Sequence, residues 1–159
     1  MAILPSESGI WREIVIPGHS AQVGRLQDDV ERELVFYQFA AVEIFSIKLA
    51  VQEALVNAIK HGNRMDPDKK VFIRYRISSE RFDIHVVDQG RGFNPDKVPD
   101  AVAEENLERS SGRGLLLMRH YMTAVVFHVP GNRLSMSMVR RPIDNVRPRR
   151  QQCPREESS

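Results

Sequence analysis

Residues 53–63 read EALVNAIKHGN. The apolar residues of this stretch and of the run before it are Ile47, Val51, Ala54, Leu55, Ala58 and Ile59, spaced at three and four. That spacing predicts a helix over 43–61, with Gly62 as its stop. Glu53, Asn57 and His61 follow one another at intervals of four residues. Four residues advance about 40° beyond a full helical turn, so the three side chains form a slowly rotating polar stripe beside the apolar one. A carboxylate, a carboxamide and an imidazole in a row supply a base, a neutral oxygen ligand and a donor. A solvated helix face would carry the same three residues, so the stripe gains meaning only from its neighbours in the chain.

Those neighbours are two glycine segments. Asp88-Gln-Gly90-Arg-Gly92-Phe follows a strand-like run, and Gly112-Arg113-Gly114 precedes a helix-like one. An aspartate at a strand end can accept a hydrogen bond from the amino group of a flat ring. Glycines two apart let backbone approach that ring, because no Cβ intrudes. Free N–H groups and the positive end of a helix dipole suit phosphate. Arg109 and Arg113 add positive charge there. Each segment alone is an ordinary turn or helix start. Their order, each at the right kind of junction, is what points to a nucleotide.

Outward from these motifs, Arg12–Ile16 reads as a strand, and Ser20 caps a helix that runs to about Tyr37. Val23, Leu26, Val30 and Leu34 form the apolar stripe of that helix. Lys70–Ser78 alternates apolar and polar residues, and Phe82–Val87 follows after Ser79–Glu80, which predicts a hairpin. Residues 94–111 carry two prolines and no period, and read as a loop. Residues 113–122 read as a third helix, and 124–129 with 134–139 as a last strand pair about Gly131–Asn132. The expected fold is α+β: a two-layer sandwich whose mixed, mostly antiparallel sheet is covered on one face by three helices. The expected domain spans 10–141. The tail, 142–159, is rich in proline, arginine, glutamine and serine and is expected to be disordered.

Totals bound the function classes. The chain has 159 residues, 42% hydrophobic and 28% charged, with a net charge of +2. That suits one domain with a real core and argues against nucleic-acid binding driven by an overall field. The single cysteine, Cys153, makes no internal disulfide, which fits a reducing cytoplasm. No apolar run approaches the ~20 residues of a membrane span.

The three motifs together resemble a family. EALVNAIKHGN is similar to the N box of the Bergerat-fold ATPases, the superfamily that includes histidine kinases and gyrase. DQGRGF resembles its first glycine box, and SGRGLLLMRHYM (111–122) its second. The KLAVQEALVNAIKHG phrasing and the LLLMR run resemble one branch, the bacterial anti-sigma factor serine kinases. The likeness covers about 12–140. It implies ATP with Mg²⁺. Glu53 would be the general base and Asn57 the metal ligand. Asp88 would read the adenine amino group, and Gly90 and Gly92 would flank the ring. Gly112 and Gly114 would wrap the phosphates under a lid at 94–111. His61 fits the box, and either Arg109 or Arg113 would meet the terminal phosphate. Arg109 stands one residue further from the glycines than the family pattern has it. Gly131-Asn132-Arg133-Leu134 lacks the threonine usual before the last strand, and Thr123 stands where an aspartate is common. The implied activity is phosphorylation of a serine on an anti-anti-sigma antagonist protein, with sequestration of a sigma factor by a homodimer. No direct nucleic-acid contact and no membrane are implied. A competing reading is an ATP-binding partner-switch module without kinase activity. A detached histidine-kinase fragment ranks below both, because the chain lacks a helix pair bearing an acceptor histidine.

Overall fold

A computed structural model describes residues 9–18, 21–92 and 110–140 of the chain. The expected Ser20 cap, Arg109, most of the expected lid and the tail at 142–159 lie outside the described residues. The described elements are β1 (Arg12–Pro17), α1 (Ala21–Phe36), α2 (Ala41–Val56), β2 (Lys70–Ile77), β3 (Arg81–Val87), α3 (Ser110–Tyr121), β4 (Ala124–His128) and β5 (Arg133–Val139). The helix α2 continues without a break into a π-helical turn, Asn57–Gly62.

The strands form one sheet in the order β1-β2-β3-β5-β4, antiparallel at each of these pairings. The alternation in β2 decides its faces. Val71, Ile73, Tyr75 and Ile77 are buried, whereas Phe72 and Arg74 are exposed. Phe82, Ile84 and Val86 of β3 and Leu134, Met136 and Met138 of β5 join the buried side. Register places Tyr75 opposite Ile84, and Ile84 opposite Met136, so the apolar rows run across the sheet. The helices cover this side with Leu26, Val30 and Leu34 from α1, Ile47, Val51 and Leu55 from α2, and Leu115 and Met118 from α3. Each such side chain contributes about 1.5–3 kcal/mol by leaving water. This is the expected two-layer α+β sandwich.

The other side of the sheet is exposed and mixes polar groups with Val15 and Phe72. The guanidinium groups of Arg74 and Arg76 lie over the Trp11 ring, at 4.5 and 4.8 Å, and that ring meets His85 at 5.1 Å. Ser135 Oγ bridges His85 Nδ1 at 2.7 Å and His128 Nε2 at 2.8 Å. Burial, and then the charge of Arg74, hold the His85 imidazole below its usual pKa.

Three boundaries differ from expectation. The helix α2 starts at Ala41, two residues before the expected Glu43. Glu43 is not the first helical residue. Its carboxylate reaches back and accepts the Ala40 N–H at 2.7 Å, which closes the first turn. The helix α3 starts at Ser110, three residues before the expected Arg113. Serine and glycine are weak helix formers, and α3 as a whole packs against α2. The end of α2 is π-helical where an α-helix is expected: the Asn63 N–H donates to the Ala58 carbonyl, five residues back, at 2.8 Å.

Candidate functional site

The π turn sets the site. Asn57 opens it and His61 stands near its end. Both line a narrow slot with Gly62, Asp88, Gly92, Gly131 and Asn132, over an apolar floor that includes Ala58 and Val86. The slot encloses about 80 Å³. Larger hollows, of about 610 Å³ on the exposed side of the sheet and about 670 Å³ between α1 and α2, lie elsewhere. The slot is preferred as the site because glycine backbone, carboxylate and carboxamide converge there. Its size suits the edge of a flat ring, with the remainder of a ligand outside it.

Asp88 stands at the end of β3 and is half-buried. Its Oδ1 accepts the Gly90 N–H at 2.7 Å. Burial raises its pKa above 3.8, against the lowering effects of the Gly90 N–H and of Lys69. Two backbone approaches confine it. A Cβ at Gly62 would overlap the Asp88 carboxyl group, and a Cβ at Gly90 would overlap the Gly62 carbonyl oxygen. Gly92 has φ +81°, and a Cβ there would overlap the Pro130 carbonyl oxygen. Glycine is therefore required at 90 by contact, and at 92 by contact and by conformation.

Glu53 does not line the slot. It lies where α2 meets the start of α3: a Cβ built on Gly114 would be 2.5 Å from Glu53 Oε2 and 3.8 Å from Asn57 Nδ2. Glu53, Asn57 and Gly114 thus meet at one end, while Asn57, His61, Asp88 and Gly92 share the slot. Gly112 lies in the first turn of α3, where backbone N–H groups lack helical acceptors. Gly114 lies past that turn, so its N–H is committed to the helix. Arg113 is exposed on α3. Among the described residues, no group of three or more His, Cys, Asp or Glu side chains converges as a metal-ligand set.

Three residues gain a role that the sequence did not suggest. Asn63 is fully buried; its Nδ2 donates to the Lys70 carbonyl at 3.0 Å and its Oδ1 accepts the Gln89 N–H at 2.8 Å. It ties the end of α2 to β2 and to the Asp88 turn. Gly62 is a contact surface for Asp88 rather than only a helix stop. Asn132 holds Asp88 from the other side: its Nδ2 donates to the Asp88 carbonyl at 3.1 Å, and the Asp88 N–H donates to the Asn132 carbonyl at 3.0 Å. Gly62 and Asn63 carried a signal, as the last two residues of the EALVNAIKHGN stretch.

The profile of the histidine kinase-like ATPase domain matches residues 16–138, which takes in α2, the slot and α3. The chain belongs to this family. Within this ATPase family, it is similar to the serine-protein kinase RsbW of Bacillus licheniformis, with 28% identity over 133 residues, covering 76% of this chain and 70% of that protein. It is similar to the RsbW of Bacillus subtilis, with 27% identity over 121 residues, 71% of this chain and 74% of that protein. The anti-sigma F factor of Geobacillus thermodenitrificans is 39% identical over 87 residues, 53% of this chain and 59% of that protein. Membership in the ATPase family makes ATP the ligand against which the slot is judged. The glycine backbone at 90 and 92 and the Asp88 acceptor fit a flat aminated ring. The single carboxamide of Asn57 fits a metal that draws its other ligands from water and phosphate. No helix among the described residues is long and apolar enough to cross a membrane.

Proposed function

We propose that this chain is an anti-sigma factor with ATP-dependent serine-protein kinase activity. It would phosphorylate a serine of an anti-anti-sigma antagonist and sequester a sigma factor, acting as a cytoplasmic homodimer. The observation that supports this reading best is the meeting of Glu53, Asn57 and the start of α3 beside the slot that holds Asp88. A base is of no use to a module that only binds, and the position of Glu53 beside Asn57 and Gly114 supports its reading as a base. The names of the similar proteins, serine-protein kinase and anti-sigma F factor, support the same class.

In this reading Asp88 accepts from the adenine amino group, and Gly90 and Gly92 lie against the ring. His61 borders the slot. Gly112 and Gly114 would wrap the phosphates, and either Arg109 or Arg113 would meet the terminal one. Asn57 would hold Mg²⁺, which supplies charge neutralisation on the phosphate oxygens. Glu53 removes the proton from the attacking serine hydroxyl. The serine oxygen forms its bond to the γ-phosphorus as the bond from that phosphorus to the ADP oxygen breaks, and ADP leaves.

The test is transfer of labelled phosphate from ATP to a candidate antagonist, paired with nucleotide binding on the same samples. Glu53→Gln is expected to keep ATP binding and to lose about 10²–10⁴-fold in transfer. Equal transfer by wild type and variant would remove Glu53 as the base. No transfer by wild type to a verified antagonist would favour a partner-switch module without kinase activity.

A further inference from the structure

One glycine contact and one ring contact fix how α2 and α3 lie together. A Cβ at Gly114 would be 2.5 Å from Glu53 Oε2, and the rings of Phe45 and Tyr121 meet edge to face with centroids 6.3 Å apart. Residue 53 thus faces residue 114, and residue 45 faces residue 121, so the two helices run antiparallel. Phe45, Leu49 and Glu53 follow at intervals of four on α2 and lie along one stripe. Phe45 stands about 12 Å from Glu53 toward the N-terminal end of the helix. It is 59% exposed, and Val42, one turn before it, is 69% exposed. The Tyr121 ring steadies Phe45 from one side, so this apolar surface is already restricted in conformation. In the other direction along α2 from Glu53 come Asn57 and His61, which line the slot. The helix and its π turn thus have a slot-lining half and an exposed apolar half, with Glu53 at the boundary.

Phosphoryl transfer needs the attacking and leaving oxygens roughly in line. With the nucleotide in the slot, the departing ADP lies toward the C-terminal end of α2, and the serine hydroxyl has to arrive from the N-terminal side of Glu53. A serine carried by a folded protein brings its surrounding surface with it, and that surface meets the exposed half of α2. We propose that the stripe of Val42, Phe45 and Leu49, backed by Tyr121, is the docking surface for the protein substrate, with Phe45 as its anchor. This rests on the kinase reading of the site and adds to it the face on which the substrate is held. The flank on α3 sets the chemistry of the partner. Arg113, Arg119 and His120 are exposed there, the His120 ring meets Tyr121 at 5.0 Å, and α3 has no acidic residue. The substrate is a protein with apolar side chains near its acceptor serine and carboxylates at the margin that meets α3.

The experiment is steady-state transfer from saturating ATP to a candidate antagonist protein at varied antagonist concentration, paired with calorimetric ATP binding. Phe45→Ala is expected to raise the KM for the antagonist about tenfold, with kcat and ATP affinity as in wild type. Phe45→Leu keeps an apolar group and is expected to recover most of that loss. Val126→Ala trims an exposed residue of β4, away from α2, and is expected to leave KM unchanged. Val42→Lys changes a still more exposed position, is expected to raise KM as well, and reports on the stripe if Phe45→Ala does not fold. An unchanged KM in Phe45→Ala and Val42→Lys, with wild type active, would overturn the docking surface alone. A rise in KM with an equal loss of ATP affinity would mark a structural role and do the same. A change of oligomeric state in Phe45→Ala by sedimentation, with KM unchanged, would assign the stripe to a second copy of the chain and also overturn it. Absence of transfer by wild type to a verified antagonist would overturn the kinase reading itself.

Discussion

The two ends of the site are built from different materials. At the Asp88 end, backbone meets backbone: Cβ atoms at Gly90 and Gly92 would strike the carbonyl oxygens of Gly62 and Pro130. At the α3 end, backbone meets a side chain: a Cβ at Gly114 would strike the end of the Glu53 carboxylate. Backbone held by a sheet and a helix terminus cannot retreat, whereas a carboxylate on rotatable bonds can. In the proposed reading the first end is a rigid reader of a flat ring. The second is adjustable, as would suit the removal of a proton there.

The largest effect tests the rigid end. Gly92→Ala adds a Cβ both at φ +81° and against Pro130. The conformation alone costs about 1–3 kcal/mol. Stability by denaturant unfolding is expected to fall by at least that much, and ATP binding to be lost. A variant as stable as wild type that still binds ATP would show that this end is not rigid.

A smaller effect tests the adjustable end. Gly114→Ala replaces a glycine inside α3, which favours the helix by about 1 kcal/mol, while it pushes on Glu53. Unfolding stability is expected to stay within about 1 kcal/mol of wild type, because the strain moves into a mobile carboxylate. Phosphotransfer is expected to fall with ATP binding retained. If stability fell as far as in Gly92→Ala, the contrast between the ends would fail.

The smallest effect is a titration. Burial raises the Asp88 pKa above 3.8. A carboxyl group with a raised folded pKa contributes stability at low pH that is lost as pH rises through that pKa. Its role as an ionised acceptor runs the opposite way, so ATP affinity is expected to weaken as pH falls through the same midpoint. A pH titration of the Asp88 carboxyl carbon by NMR checks this. A midpoint at or below 3.8 would contradict a desolvated reader.

The contrast also marks what the sequence could say. The sheet was legible because alternation in KVFIRYRI has one physical reading, and Val71, Ile73, Tyr75 and Ile77 are buried together. The polar stripe at 53, 57 and 61 and the Asp88 turn were legible because spacing and glycine placement are local. The start of α3 was not, because serine and glycine carry weak helix propensity. The π turn was not legible either. It depends on Asn63, whose partners at Lys70 and Gln89 lie seven and 26 residues away. Asn132 read only as the lack of a usual threonine, since its value lies in atoms that meet Asp88 across 44 residues.

The most direct measurement is calorimetric binding of ATP and GTP to wild type and to Asp88→Asn. The account predicts that wild type binds ATP and discriminates against GTP by 100-fold or more on the order of a lost buried hydrogen bond to the ring. It also predicts that Asp88→Asn, with a donor in place of one acceptor oxygen, loses ATP binding while remaining folded. Equal affinity of wild type for the two nucleotides, or undiminished ATP binding by Asp88→Asn, would contradict it.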